Sequence, residues 1–470
     1  MGNTTSLLAD FIVEADFQDI PQKAVEEAKR LLIDSIGCAF GAVRTQKGKI
    51  CMSYAKEVSW GNQATVIGFD QKASASIAAF INGELFNTLD FDPLFHPFGH
   101  ITPYVLPAVL SLAELKRVSG QTFITAIVLA HEIAQRISTG LVISNKFAKR
   151  CNKGEIEIFL PIHGYGVNIF GAIAGAGKIL GLSKIQLENA MGIGGYSCPI
   201  PTIMQFCTSL PSPMTKFSPA GWISQGAVTA SFLSEMGYTG DRNVLDAEYG
   251  FWRSFGADGW RPESVIKNLG NLWYLAQDMI TYKRYPCCGA IQGAIDILNA
   301  IIKKFSLRPE NIKRLNVVLN LLAELPLWKN RTISNQIEAQ FSASYIFSVV
   351  CHQVEVGYRW QLAETYTNPR ILEFMKRVNI VTPANLDYGK RDCMVEVIAE
   401  DKDTKKESRY TERDVWPLSF EMSEEELIDK FRKNVRNMLP MDVTEKIIGH
   451  ALNLDKIQNI CDFMALLHSS

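Results

Sequence analysis

Two carboxylates and two imidazoles share eleven residues of this chain: Asp90, Asp92, His96 and His100, within the stretch NGELFNTLDFDPLFHPFGHITPYVLPA. The chain has seven histidines in 470 residues, so the pair concentrates groups that exchange protons near neutral pH. An acid and a base in an apolar frame are the ingredients for moving protons on carbon. The His-x-x-x-His spacing would also put two zinc ligands on one face of a helix. Pro97 and Gly99 between them oppose a helical turn, so the segment reads as a loop and no metal site is expected.

Three further spots put polar groups in apolar or Gly/Pro-rich settings. FLPIHGYG places His163 ahead of a small-residue helix. PMTKFSPAGWISQ makes Lys216 the first charge after a long uncharged stretch, and YKRYPCCG holds Lys283 and Arg284 at a junction of two proposed domains. Together these cations and histidines would form an electropositive pocket for a small polycarboxylate.

The elements that must position these groups are mostly helical. Apolar residues recur at helical spacing over residues 21–42, 71–89, 105–118, 122–138, 167–182 and 184–191. Gly171, Ala172, Gly175 and Ala176 give one helix a small-residue face suited to close packing. Pro326 should end any helix over 321–327 at or before Leu325. After about residue 275 the pattern changes. Residues 312–320 alternate as a strand, and 391–400 and 407–411 flank the charged turn DKDTKK as a hairpin. Residues 333–351 and 368–378 read as helices, and the chain is helical again from Ser423. The expected fold is mainly α. A large helical domain (1–272 and 412–470) is interrupted by a smaller α+β lid domain (273–411).

Composition removes several function classes. A net charge of −1 gives nucleic acid no electrostatic footing. Segments 159–177 and 189–215 lack charge but are rich in Gly, Pro and Ser, so they read as buried interior and not as membrane spans. The N-terminus lacks the basic start of a secretory signal. Ten cysteines show no CxxC spacing and read as free thiols in a reducing, cytoplasmic setting. GAIAGAGK (171–178) imitates a phosphate loop, but its first glycine and its metal-binding hydroxyl are misplaced. His131, beside Glu132 in an amphipathic helix, reads as a histidine at the core edge.

LLIDSIGCAFGA, NGELFNTLDFD with GHITPYVLPA, the His163 segment leading into GAIAGAGKILGLS, KRYPCCGAIQGAID and IEAQFSASYIFSV resemble the MmgE/PrpD family, in order and over nearly the whole chain. That family contains 2-methylcitrate dehydratases, cis-aconitate decarboxylases and an iminodisuccinate epimerase. The resemblance implies a helical main domain with a smaller lid, a homodimer, and cofactor-free lyase chemistry on small di- or tricarboxylates. Decarboxylation ranks first, dehydration next, then epimerisation, then an inactive carboxylate-binding relative. Carried over, it marks Asp90, His100, His163, Lys216 and Lys283 as catalytic. His100 would be the acid/base, Asp90 its orienter or a second proton carrier, His163 a further donor, and the lysines carboxylate holders. Arg284, Tyr285, Asp92, His96 and Gln292 are expected to bind substrate. Three positions depart from the family pattern: Leu94 replaces a threonine, Gln292 a histidine, and Ser218-Pro219-Ala220-Gly221 a Leu-His-Pro-Gly.

Overall fold

The computed structural model describes residues 3–58, 61–143, 149–152, 155–158, 164–200, 202–382, 392–401, 404–415, 422–436 and 438–468. Its first half is a helical assembly: α1 (Thr4–Glu14), α2 (Gln22–Val43), α3 (Gln46–Val58), α4 (Ala75–Thr88), α5 (Thr102–Lys116), α6 (Gly120–Gly140), α7 (Asn168–Leu180), α8 (Lys184–Tyr196), α9 (Ile203–Thr208) and α10 (Ala220–Glu235). Side-chain caps open several of them. The Ser74, Ser119 and Ser183 side chains accept backbone N–H bonds at the starts of α4, α6 and α8.

Helix α7 packs against α5, α6 and α10. Its small face is what allows this. A Cβ on Gly171 would lie 2.2 Å from the Ala130 carbonyl oxygen, and one on Gly175 would lie 2.4 Å from a Val109 methyl. The glycines that imitate a phosphate loop therefore serve helix packing. A second close crossing joins α4 to α10, where a Cβ on Gly83 would sit 2.9 Å from the Gly221 Cα. There the Glu84 carboxylate accepts the Gly221 N–H at 2.8 Å and pairs with Lys47 at 2.7 Å. This contact sets the C-terminal end of α4 beside the chain leading into α10.

Short strands β1 (Leu94–Phe95) and β2 (Ile280–Thr281) pair antiparallel, Leu94 opposite Thr281. A four-stranded sheet follows in the second half: β3 (Ile312–Val318), β4 (Val378–Val381), β5 (Asp392–Glu400) and β6 (Glu407–Val415), in spatial order β4-β3-β5-β6. The β5–β6 hairpin is as the sequence suggests, but β6 runs to Val415, past the boundary expected at 411. Leu315, Val317, Val395 and Val397 are fully buried at alternate positions, and α11 (Gln292–Lys304) packs on β5 and β6. The C-terminal helices α12 (Glu424–Val435) and α13 (Met441–Leu452) return to pack on α2.

Several elements differ from expectation. The helix expected over 333–351 is two, Gln336–Phe341 and Ala343–Cys351, because Ser342 is extended and caps the second. The helix expected over 368–378 ends at Phe374, passes through one 3₁₀ turn, and becomes β4, which pairs parallel with β3. Pro326 does not only end a helix at Glu324 but also starts another, Pro326–Lys329. Part of 189–215 is not interior, since Tyr196 and Ile200 are about three-quarters exposed (76% and 74%). Among the described residues no helix is long and apolar enough to cross a membrane, and the nine described cysteines are free.

Candidate active site

The end of α4 turns sharply into the acid–histidine loop. Asp90 adopts a left-handed backbone (φ 53°), and so does Lys216 (φ 53°), the residue it meets. Left-handed non-glycine residues cost of order 1–3 kcal/mol each and persist where surrounding contacts over-determine them. Here the contacts are ionic. The Lys216 ammonium donates to Asp90 Oδ1 at 2.9 Å and to the Asn87 carbonyl at 2.9 Å. The Lys283 ammonium donates to Asp90 Oδ2 at 2.9 Å and to the Asp90 carbonyl at 2.8 Å. All three side chains are buried.

His100 completes the group. Its Nδ1 lies 2.5 Å from Asp92 Oδ2, while its Nε2 lies 3.7 Å from Asp90 Oδ1. Asp92 Oδ1 accepts from the Asn87 amide at 3.2 Å, so both of its oxygens are used. A carboxylate accepting at Nδ1 fixes the ring and leaves Nε2 to exchange protons. The orienting contact expected of Asp90 therefore belongs to Asp92, which is fully buried. Aromatic rings frame the imidazole: Phe217 stacks on it at 5.2 Å and Tyr165 meets it edge-on at 5.6 Å. Gly99 (φ +80°) is needed beneath, since a Cβ there would lie 2.6 Å from the Tyr165 hydroxyl.

Burial would raise the Asp90 carboxyl, but Lys216, Lys283 and His100 outweigh it and hold it far below the usual carboxylate range. The lysines respond in opposite directions. Burial and the Lys283 charge depress Lys216 despite Asp90 and Asp92, whereas for Lys283 the two carboxylates overcome burial and raise it. An ammonium has three donors. Each lysine spends two on the contacts above, which leaves one N–H apiece for another acceptor.

Backbone carbonyls of this loop are pinned from distant elements. Gln340 donates to the Thr88 carbonyl at 2.7 Å, and Gln361 donates to those of Leu89 and Pro286 at 2.7 and 3.0 Å. From α12, Lys430 donates to the Phe91 carbonyl at 2.8 Å and pairs with buried Asp34 at 2.7 Å. Sequence reading missed these supports. Gln336, Gln340, Gln361 and Lys430 are polar positions within apolar surroundings, and that contrast was the available signal.

The other expected site residues have contacts of their own, apart from one that is not described. His163 lies outside the described residues. His96 Nε2 contacts the Thr281 hydroxyl at 3.0 Å. Arg284 pairs with Asp296 and Glu426. The Tyr285 hydroxyl donates to Asp296 at 2.7 Å, and its ring stacks on Trp360. Gln292, fully buried, accepts the Arg284 and Tyr285 N–H groups and donates to the Tyr285 and Cys287 carbonyls. It braces the loop that presents Lys283. Leu94 lies over Gly289, where a Cβ would meet it at 2.3 Å. His131 is not at the core edge but fully buried. Its Nδ1 donates to the Ile127 carbonyl at 2.8 Å and its Nε2 contacts the Thr102 hydroxyl at 2.9 Å. Among the described residues no group of three or more His, Cys, Asp or Glu is arranged to hold a metal.

The sequence matches the MmgE/PrpD N-terminal domain over residues 6–263 and the MmgE/PrpD C-terminal domain over residues 285–456. The chain belongs to the MmgE/PrpD family. Asp90, Asp92, His100 and Lys216 fall in the first matched segment, and Lys283 lies between the two. Similar curated relatives are cis-aconitate decarboxylases. That of Homo sapiens is 24% identical over 458 residues, covering 95% of this chain and 91% of the relative. That of Aspergillus terreus is 25% identical over 488 residues, covering 96% and 93%.

Proposed function

We propose that the protein is a lyase on a small di- or tricarboxylic acid, with decarboxylation of a cis-aconitate-like substrate as its reaction. The observation that carries this is one buried cluster: His100 oriented by Asp92 and facing Asp90, with Asp90 clamped between two ammoniums. Membership of the MmgE/PrpD family and the names of the relatives agree with lyase chemistry.

Removing CO₂ from an allylic acid breaks a C–C bond and leaves its electron pair on the remaining carbon skeleton. The fixed cations Lys216 and Lys283 stabilise that developing negative charge in a site closed to water. A proton must then reach carbon, and His100 Nε2, held at constant orientation, delivers it. Lys216, whose proton burial loosens, is the second carrier, while Lys283 keeps its charge and holds carboxylate. These side chains suffice for the step, so the proposed reaction is cofactor-free. Dehydration of a citrate-like acid would use the same groups in the same places and ranks second.

The proposal extends to a cytoplasmic homodimer. Trp222 on α10 is exposed (61%) and packs edge-on against Phe80, which meets Tyr54 in turn. These rings form an apolar face that a second copy would cover.

Incubation in D₂O with cis-aconitate, 2-methylcitrate, citrate and iminodisuccinate, followed by proton NMR, tests the reading. CO₂ loss with new vinyl signals is expected from cis-aconitate. Wild-type turnover in a folded His100→Ala protein would overturn the residue assignment.

A further inference from the structure

Two peptide planes join Asp90 to Asp92, and an ammonium holds the carbonyl of each. Lys283 donates to the Asp90 carbonyl at 2.8 Å, and Lys430 donates to the Phe91 carbonyl at 2.8 Å. Lys430 comes from α12, 339 residues further along the chain, and is buried. Its ammonium lies 3.8 Å from the centroid of the Phe91 ring and 2.7 Å from the buried Asp34 carboxylate on α2. Close helix packing brings it there. Gly37 and Gly41 lie on the same face of α2 as Asp34. A Cβ on Gly37 would sit 3.1 Å from the Phe431 ring, and one on Gly41 would sit 3.0 Å from a Leu89 methyl. Helix α2 thus meets both the neighbour of Lys430 and the residue just before Asp90.

A buried ion pair adds little stability over well-packed apolar groups. What this pair supplies is orientation. The Phe91 carbonyl belongs to the peptide that leads into Asp92, and turning that peptide would swing Asp92 away from His100 Nδ1, 2.5 Å distant. We infer that Lys430 is a positioning residue: by holding the Phe91 carbonyl it fixes Asp92, and through Asp92 the His100 ring. This rests on the reading of His100 as the acid/base and brings the C-terminal helix α12 into the working site.

Lys430→Met alone would strand the buried Asp34 carboxylate, so the test compares Asp34→Asn with the double variant Asp34→Asn/Lys430→Met. The first keeps an ammonium on the Phe91 carbonyl. The second removes it and leaves neither charge of the pair behind. Both are measured as full-length chains whose folding is checked by far-UV circular dichroism. The proton held between His100 Nδ1 and the Asp92 carboxylate should resonate far downfield in ¹H NMR, and its absence in His100→Ala identifies it. In the double variant this proton should move upfield. The kcat for cis-aconitate should fall about tenfold to a hundredfold below that of Asp34→Asn, with KM little changed. An unmoved His100 proton, or equal kcat in the two folded variants, overturns the inference. If wild type turns over none of the acids named above, the lyase reading fails, and the His100 proton still decides the role of Lys430.

Discussion

Asp92→Asn isolates what the Asp92–His100 pair contributes. Both oxygens of Asp92 are committed, one to Asn87 and one to His100 Nδ1. An asparagine can keep both contacts if the Asn87 amide turns over, so the site should stay folded. What it cannot keep is the charge. The charge is what holds Nδ1 as the donor and Nε2 as the proton-exchanging nitrogen, and acid/base groups so positioned contribute about 10² to 10⁴ in rate. Solvent and the nearby lysines offset part of this, so kcat/KM should fall by about 10² to 10³. Stability should fall less, by about 1–3 kcal/mol, as a charged hydrogen bond becomes a neutral one. Initial rates of cis-aconitate loss by NMR, beside urea unfolding of both proteins, measure the two effects separately. A folded Asp92→Asn enzyme within fivefold of wild type, while His100→Ala is inactive, would refute the orienting role.

Other expectations follow from the same geometry. Asp90→Asn leaves two buried ammoniums without a carboxylate and should cost about 3–5 kcal/mol in urea unfolding. Because the Asp90 carboxyl is depressed in the fold, its contribution is present above the unfolded value of 3.8 and is lost as pH falls below it. The variant should accordingly show a flatter decline of stability in acid than wild type. Burial lowers His131 from 6.5 to about 4, so the unfolded chain binds its proton first, and stability from this group falls as pH drops through that window, by roughly 3 kcal/mol in all. Melting of His131→Gln against wild type between pH 7 and 4 should show this slope removed. Gly171→Ala pushes a methyl into the Ala130 carbonyl and should destabilise the α6–α7 contact by about 1–3 kcal/mol. Gln292→Ala strips four backbone groups of the Lys283 loop of their partner, so turnover should fall with little change in far-UV circular dichroism.

Much of this protein is legible in its sequence because the information is local. Helical spacing over 21–42 gives α2, small residues at 171–176 give the packing face of α7, and a charged turn between alternating runs gives the β5–β6 hairpin. The residue types at 90, 92, 100, 216 and 283 already bring two carboxylates, an imidazole and two ammoniums to notice. Tertiary structure decided how they are paired. Whether Asp90 or Asp92 orients His100 depends on a left-handed turn at the end of α4, and that turn is held by lysines 126 and 193 residues away. The four backbone contacts of Gln292 likewise come from the folded loop and not from its spacing in the sequence. Periodicity and residue chemistry act over one or two turns of chain. Ionic pairing, carbonyl capping and desolvation depend on which distant segments are folded together.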